Sequence, residues 1–229
     1  MTPDPARLHI LRARYDDWLA QSVPPPVPVV PGLPGAAHLA LDGQGLAARG
    51  WDGLPIDWVP EGGAVQAGGY GEDRSIYDTP AFRQPGEEPR TVHLGLDVFA
   101  APGTPVHCPL AGEVHSFQRN DADKDYGPTI ILRHAPERDL VFYSLYGHLA
   151  PESLAGLKPG AAVGAGEAIG EIGTNAVNGG WAPHLHFQVI LDLLGRSGDF
   201  PGVCRRSEAA AWLALCPDPA ALAGWTQRS

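Results

Sequence analysis

The sequence predicts a mostly β fold, an antiparallel β-sandwich or open barrel with an N-terminal helix and a short C-terminal helix. Three observations predict it. The 229 residues include 29 glycines and 24 prolines, which favours many turns and short strands over long helices. From Val92 onward, apolar runs of strand length follow one another closely. They are His93–Phe99, Pro105–Cys108, Gly112–Gln118, Thr129–His134, Leu140–Leu149, Ala168–Ile172 and His184–Ile190. Clear helical spacing occurs at the start, where Leu8, Leu11, Tyr15, Trp18 and Leu19 recur at three- and four-residue intervals within Pro5–Gln21.

The remaining segments fill in around that core. Residues 1–34 read as the helix followed by a strap, because Val23–Pro34 is too Pro-dense for regular hydrogen bonding. Residues 35–91 read as a loop-rich segment that wraps the core. Within it, Gly68–Arg74 fits either a surface loop or one wall of a groove. Residues 92–191 form the core, and residues 192–229 a tail packed on it. Ser207 is the expected N-cap of a helix over Ser207–Leu215. Glu152–Gly160 reads as a short helical turn closed by glycine. Asn120–Pro128 places Asp121, Asp123 and Asp125 at alternate positions, as a calcium loop begins, but the required Gly and terminal Glu do not follow. It is expected to be a solvated hairpin loop.

Composition excludes several functions. A formal net charge of −10 argues against nucleic-acid binding, which needs a basic footprint. The same charge argues against passive adhesion to an anionic polymer. Cys108, Cys204 and Cys216 cannot all pair within one chain, and none lies in a CxxC pair. They are expected to be small buried residues. Met1–Gln21 carries Asp4, Arg7, Arg12, Arg14, Asp16 and Asp17 and has no continuous apolar run, unlike a secretory signal peptide. No apolar stretch is long enough to span a bilayer. The sequence therefore predicts a cytoplasmic location with no transmembrane segment, export by another route being left open.

Two strings carry the chemistry. In His93-Leu94-Gly95-Leu96-Asp97, strand alternation puts His93, Gly95 and Asp97 on one face, and Gly95 leaves room for something bulky. In His184-Leu185-His186 the two imidazoles project together. Two histidines and one carboxylate form a known catalytic zinc set with an open position. Either string alone is weak, since alternating histidines on a strand are common. His9, His38, His107, His115 and His134 have no partner pattern and read as surface or structural residues.

The strings sit in a longer order of motifs. Val98-Phe99-Ala100-Ala101-Pro102-Gly103-Thr104-Pro105-Val106 and Gly112-Glu113-Val114 follow Asp97. Tyr146-Gly147-His148-Leu149, the stretch Gly160–Gly173 and Pro183-His184-Leu185-His186-Phe187 come later. From Val92 to Ile190 this order resembles the lysostaphin-type (LytM-like) zinc metallopeptidases. The resemblance implies that His93, Asp97 and His186 bind Zn2+, and that His148 and His184 are catalytic without being ligands. It also implies hydrolysis of a peptide by a zinc-activated water, in peptidoglycan-type cross-links containing Gly or Ala. Which of His148 and His184 is the base stays open.

A narrower likeness rests on His115-Ser116-Phe117, Tyr126-Gly127-Pro128-Thr129-Ile130 and Asn178-Gly179-Gly180-Trp181. These strings resemble the peptidase-like module of some multidomain class III aminotransferase fusion proteins. Two positions depart from the wider family. Gly180-Trp181-Ala182 replaces a small Ser/Thr-Gly pair, and Gln188 stands where Glu is frequent. Three rival readings are a silent peptide- or partner-binding module of the same fold, a cupin, and a biotinyl or lipoyl carrier. A cupin would place Glu where Ile190 stands. Val163–Gly170 has the carrier's turn pattern but no lysine in an exposed hairpin.

Overall fold

The computed structural model describes residues 4–22, 27–77, 79–83 and 85–225. Helix α1 spans Pro5–Gln21, as the spacing predicts. Asp4 caps it, its side chain accepting from the Ala6 N–H at 3.1 Å, and Pro5 supplies a preset φ where no donor is needed. The helix buries Leu8 and Tyr15, and the Tyr15 ring meets Phe142 edge-on at 5.1 Å. The strap that follows is anchored rather than loose. Val29, Val30 and Leu33 are fully buried, and the Val29 carbonyl accepts from the His107 N–H. Residues 23–26 of the expected strap lie outside the described residues.

Among the described residues, twelve strands form the body. They are β1 (Ala37–His38), β2 (Gln66–Gly68), β3 (Arg90–His93), β4 (Leu96–Phe99), β5 (Pro105–His107) and β6 (Gly112–Asn120). Then come β7 (Gly127–Glu137), β8 (Leu140–Gly147), β9 (Ala162–Val163), β10 (Ala168–Glu171), β11 (His184–Ile190) and β12 (Val203–Arg205). Eight of them make one sheet in the order β1-β2-β4-β11-β8-β7-β6-β9, antiparallel except for the β1–β2 edge. Two ribbons, β10–β5 and β12–β3, lie outside it. Three short helices complete the chain: α2 (Gly43–Ala48), α3 (Ala209–Leu215) and α4 (Ala220–Ala223).

Strand β11 lies at the centre of this arrangement. All of its residues are buried, which is the expected state of a strand covered on both faces. Leu185, Phe187, Val189 and Ile190 join Ile130, Leu132, Phe142, Leu145 and Tyr146 in the main apolar core. Such burial is worth about 25 cal/mol per Å² of apolar surface. A polar side chain on β11 is therefore held on a rigid, dry support.

The structure corrects two expectations. His93–Phe99 is not one strand. It breaks at Leu94-Gly95 into β3 and β4, which belong to different sheets: the Leu94 N–H bonds to the Gly202 carbonyl and so follows the β3–β12 ribbon, while β4 pairs with β2 and β11. Ser207 does not cap a helix. It lies in a 3-10 turn over Arg206–Glu208, its hydroxyl and N–H both bound to the Glu88 carboxylate, and α3 begins at Ala209. The three cysteines are buried and free. Among the described residues no helix is long and apolar enough to cross a membrane.

Candidate metal centre

The site forms where β4, β11 and the β3–β12 ribbon meet. Strands β4 and β11 pair in a register that sets His186 opposite Asp97 and His184 opposite Phe99. On the other flank of β11, His186 faces Gly147 of β8, and His148 follows that strand directly. His93 enters from the end of β3. Gly95, in the break between β3 and β4, is where the imidazole of His186 fits. A Cβ there would come within 2.6 Å of the ring. The expectation that Gly95 clears space is met, and the bulky group is the His186 imidazole.

Three donor atoms converge. His93 Nε2 is 3.0 Å from His186 Nδ1, His186 Nδ1 is 3.1 Å from Asp97 Oδ1, and His93 Nε2 is 3.3 Å from the same oxygen. The far nitrogens fix the tautomers. His93 Nδ1 donates to the Gly69 carbonyl at 2.9 Å. His186 Nε2 donates to Gln188 Oε1 at 2.8 Å, and the Gln188 amide is oriented by donating in turn to the Pro201 carbonyl at 3.1 Å. Each histidine therefore turns a lone pair, not a proton, toward the other and toward a carboxylate oxygen. Such an arrangement repels itself unless a cation stands at its centre, so the residues fit a metal ion. His93, Asp97 and His186 are the candidate metal ligands among the described residues.

His148 and His184 flank this centre, with ring centroids 4.2 Å apart. Both are tied at Nδ1. His148 donates to the Asn178 carbonyl at 2.9 Å and His184 to the Ala182 carbonyl at 2.7 Å, which turns both Nε2 atoms away from those carbonyls, that of His184 lying 3.7 Å from Asp97 Oδ1. His148 sits in the left-handed region at φ 64, a strained conformation for a residue with a side chain. Two backbone bonds hold it there, from the His148 N–H to the Tyr126 carbonyl and from the Gly173 N–H to the His148 carbonyl, both 2.8 Å. His184 stacks on Phe99 at 4.9 Å.

Sequence reasoning missed the main charge partner. Arg74 is fully buried, its Nη1 lying 2.5 Å from Asp97 Oδ2 and its Nε 2.6 Å from Glu72 Oε2. Glu72 Oε1 also accepts from the Leu41 N–H at 2.9 Å. The segment Gly68–Arg74 thus forms a wall of the site and supplies both the His93 acceptor and the guanidinium that orients Asp97. Gln188, which reads as a departure in sequence, acts as the acceptor that fixes His186.

The electrostatics follow from burial and these pairs. Burial alone would raise the Asp97 carboxyl, but His93, Arg74 and His184 outweigh it and hold it well below the usual carboxylate range. Burial pushes His93 down to about 4 against the opposing pull of Asp97. His148 falls well below its ordinary value, and His184 also falls, again chiefly through burial. Away from the centre, burial lowers His134 to about 4 as well. It bonds Ser144 Oγ at 2.7 Å and the Ala111 carbonyl at 3.1 Å, a satisfied structural histidine as expected.

These shifts predict an acid-sensitive fold. His93 and His134 have folded-state values below the ordinary 6.5, so the unfolded chain binds more protons between the two values. Their neutral burial imposes no proton-linked cost above pH 6.5, and stability falls as pH drops toward 4, by on the order of 3 kcal/mol per histidine. Asp97 adds stability above the ordinary carboxylate pKa that is lost below it. Urea denaturation of the metal-free protein at stepped pH checks this. A midpoint that stays constant from pH 7 to 4 would contradict it.

The centre opens into a cavity of about 390 Å³. One side is aromatic. Tyr77 and Trp181 meet at 5.7 Å and Tyr77 and Phe82 at 5.1 Å. Asp123, Lys124 and Asp125 reach the cavity from the β6–β7 hairpin. Lys124 lies 4.5 Å from the Trp181 ring centroid and donates to the Gly180 carbonyl at 2.9 Å. The hairpin loop is therefore part of the cavity wall, not only a solvated turn. His9 and His38 are exposed, and neither these nor His107 and His115 line the cavity.

Residues 91–195 match the sequence profile of Peptidase family M23. The matched segment holds His93, Asp97 and His186, the three residues whose donor atoms converge. Among solved structures, the chain is similar to the catalytic domain of the antimicrobial peptidase lysostaphin from Staphylococcus simulans. The identity is 26% over 67% of this chain and 88% of that one, with a TM-score of 0.43. A family M23 protein from Pseudomonas aeruginosa is 22% identical over 67% of this chain and 54% of its own, at a TM-score of 0.39. A zinc-containing peptidase from Vibrio cholerae is 27% identical over 48% of this chain and 34% of its own, at a TM-score of 0.36. The chain thus spans about half of the Pseudomonas protein and a third of the Vibrio one. No curated protein matches the chain.

Proposed function

We propose that this protein is a zinc-dependent metalloendopeptidase that cleaves peptide bonds in Gly- or Ala-containing peptides of the peptidoglycan cross-link type. The observation that carries the proposal is the convergence of three donor atoms on one point beside two further histidines, each held at Nδ1 by a backbone carbonyl. In this reading His93 Nε2, His186 Nδ1 and Asp97 Oδ1 hold the ion. A zinc ion with an open position lowers the pKa of its water from about 15.7 to roughly 7 and polarises a carbonyl oxygen.

His148 and His184 move the proton. Both are buried and their ordinary pKa is depressed, so they enter the reaction neutral and able to accept at Nε2. Their Nδ1–H bonds to backbone carbonyls hold each ring in that tautomer. Once protonated, either ring can hydrogen-bond a developing oxyanion or protonate the leaving amine. Tyr77, Phe82 and Trp181 offer an apolar wall along one side of the cavity. The likeness of His115–Phe117 and Asn178–Trp181 to the module of aminotransferase fusion proteins supports a close kinship with that group.

The test is a pair of variants. His148→Ala and His184→Ala should each retain the metal and lose hydrolysis of a Gly/Ala peptide by about 10²–10⁴-fold. Metal content is read by elemental analysis and cleavage by chromatography of the products. Full activity in both variants would overturn the assignment. A zinc-loaded wild type that binds such peptides without cleaving them would make the domain a binding module instead.

A further inference from the structure

We infer that Tyr126 touches the substrate, donating its phenolic hydrogen to a peptide carbonyl next to the scissile one. This inference rests on the peptidase reading above. Tyr126 ends the β6–β7 hairpin loop and lines the cavity. Its ring stands between two site histidines, 5.1 Å from His186 and 5.5 Å from His148 by centroid. Its carbonyl holds the His148 N–H, so ring and histidine are positioned together.

Two glycines make the slot for this ring. A Cβ on Gly147 would come within 2.6 Å of Tyr126 Cδ1, and one on Gly202 within 2.1 Å of the Tyr126 hydroxyl. The chain thus gives up a side chain on either side of a phenol that is itself 9% exposed. A purely apolar wall would need only the ring, since phenylalanine packs equally well there. The hydroxyl is the part that Gly202 accommodates.

That hydroxyl has an unspent proton. Its hydrogen-bond contact among the described residues is His186 Nε2, at 3.5 Å. His186 Nε2 already carries a hydrogen, which goes to Gln188 Oε1 at 2.8 Å. Tyr126 therefore cannot donate to it, and its O–H keeps a hydrogen to give, beside Gly202, which also lines the cavity. A donor left without a partner on binding a peptide would lose its water and gain nothing, which is costly. A carbonyl oxygen of the peptide backbone is the acceptor that every substrate residue brings.

The geometry also says which carbonyl. His186 presents Nδ1 to His93 and Asp97, and Nε2 to Tyr126. The hydroxyl thus lies across the imidazole from the converging donors. That offset from the converging donors favours a carbonyl beside the scissile one over the scissile carbonyl itself. A contact of that kind forms on binding and persists through the reaction, so it acts chiefly on KM.

Zinc-loaded wild type and Tyr126→Phe are compared on a quenched fluorogenic peptide of Gly and Ala. The variant should show a three- to tenfold higher KM, roughly the effect of one neutral hydrogen bond, with kcat little changed. Its zinc content and melting temperature should equal those of the wild type. A phosphinate analogue of the peptide should bind the variant more weakly by the same factor in calorimetry. Replacing one adjacent amide by a thioamide should impair the wild type and leave the variant unaffected, as a shared contact requires. Equal KM values in an active pair overturn the inference alone, and so does a loss that tracks loss of zinc. A wild type that fails to cleave the peptide overturns both this inference and the peptidase reading.

Discussion

Asp97→Ala should bring the metal content of the purified protein from about one ion per chain to a small fraction of that, and should abolish peptide cleavage. Asp97 Oδ1 is the one anionic donor among the three converging atoms, and burial favours the neutral form of His93 beside it. Removing it leaves a two-nitrogen site, too few ligands to hold zinc in a hydrolytic geometry. It also strands the Arg74 guanidinium in the interior, so some loss of stability is expected. Asp97→Asn separates the two effects, because it keeps the volume and an acceptor for Arg74 while removing the charge. Elemental analysis of both variants beside the wild type is the measurement. Undiminished zinc in Asp97→Asn would mean that the ion sits elsewhere.

Arg74→Met should be the most destabilising single change near the site. Arg74 bridges Asp97 and Glu72 with short bonds to both, and it is 1% exposed. Removing one partner of a buried ion pair costs about 3–5 kcal/mol, because the remaining charges stay buried without compensation. Here two carboxylates lose their partner at once. Metal affinity should fall about 10–100-fold, the usual effect of losing a group that orients a ligand. Arg74→Lys should rescue little, since one ammonium cannot span two carboxylates through Nε and Nη1. Urea denaturation and titration against a chelator give the two numbers. A variant that matches wild type in both would remove Arg74 from any account of the site.

Much of the fold could be read from the chain because local signals agreed with the tertiary result. Helix α1 occupies its predicted span, since Asp4, Pro5 and the apolar spacing all act within a few residues. Strand β11 also keeps its predicted limits, because its alternating and apolar residues suit a strand buried on both faces. His93, Asp97 and His186 converge as their motifs imply. What escaped the sequence was long-range. The break of His93–Phe99 depends on a bond from Leu94 to Gly202, far along the chain. Arg74 meets Asp97 across an intervening strand and loop, and nothing near Arg74 signals the meeting. Gln188 reads as a departure until its position two residues beyond His186, on the same strand face, is seen to set that ring's tautomer. Ser207 has the composition of a cap, but Glu88 captures both its polar groups.

The bonds between His93 and Gly69, between Arg74 and Asp97 and between Leu41 and Glu72 alter what counts as the working unit. The stretch recognisable by family begins at residue 91, yet the parts that aim two of the three donor atoms come from before it. An excised piece starting at that boundary would keep every diagnostic motif and lose the groups that make them converge. For grafting, shuffling or trimming, the indivisible module therefore starts upstream of β2, at the segment that carries Leu41.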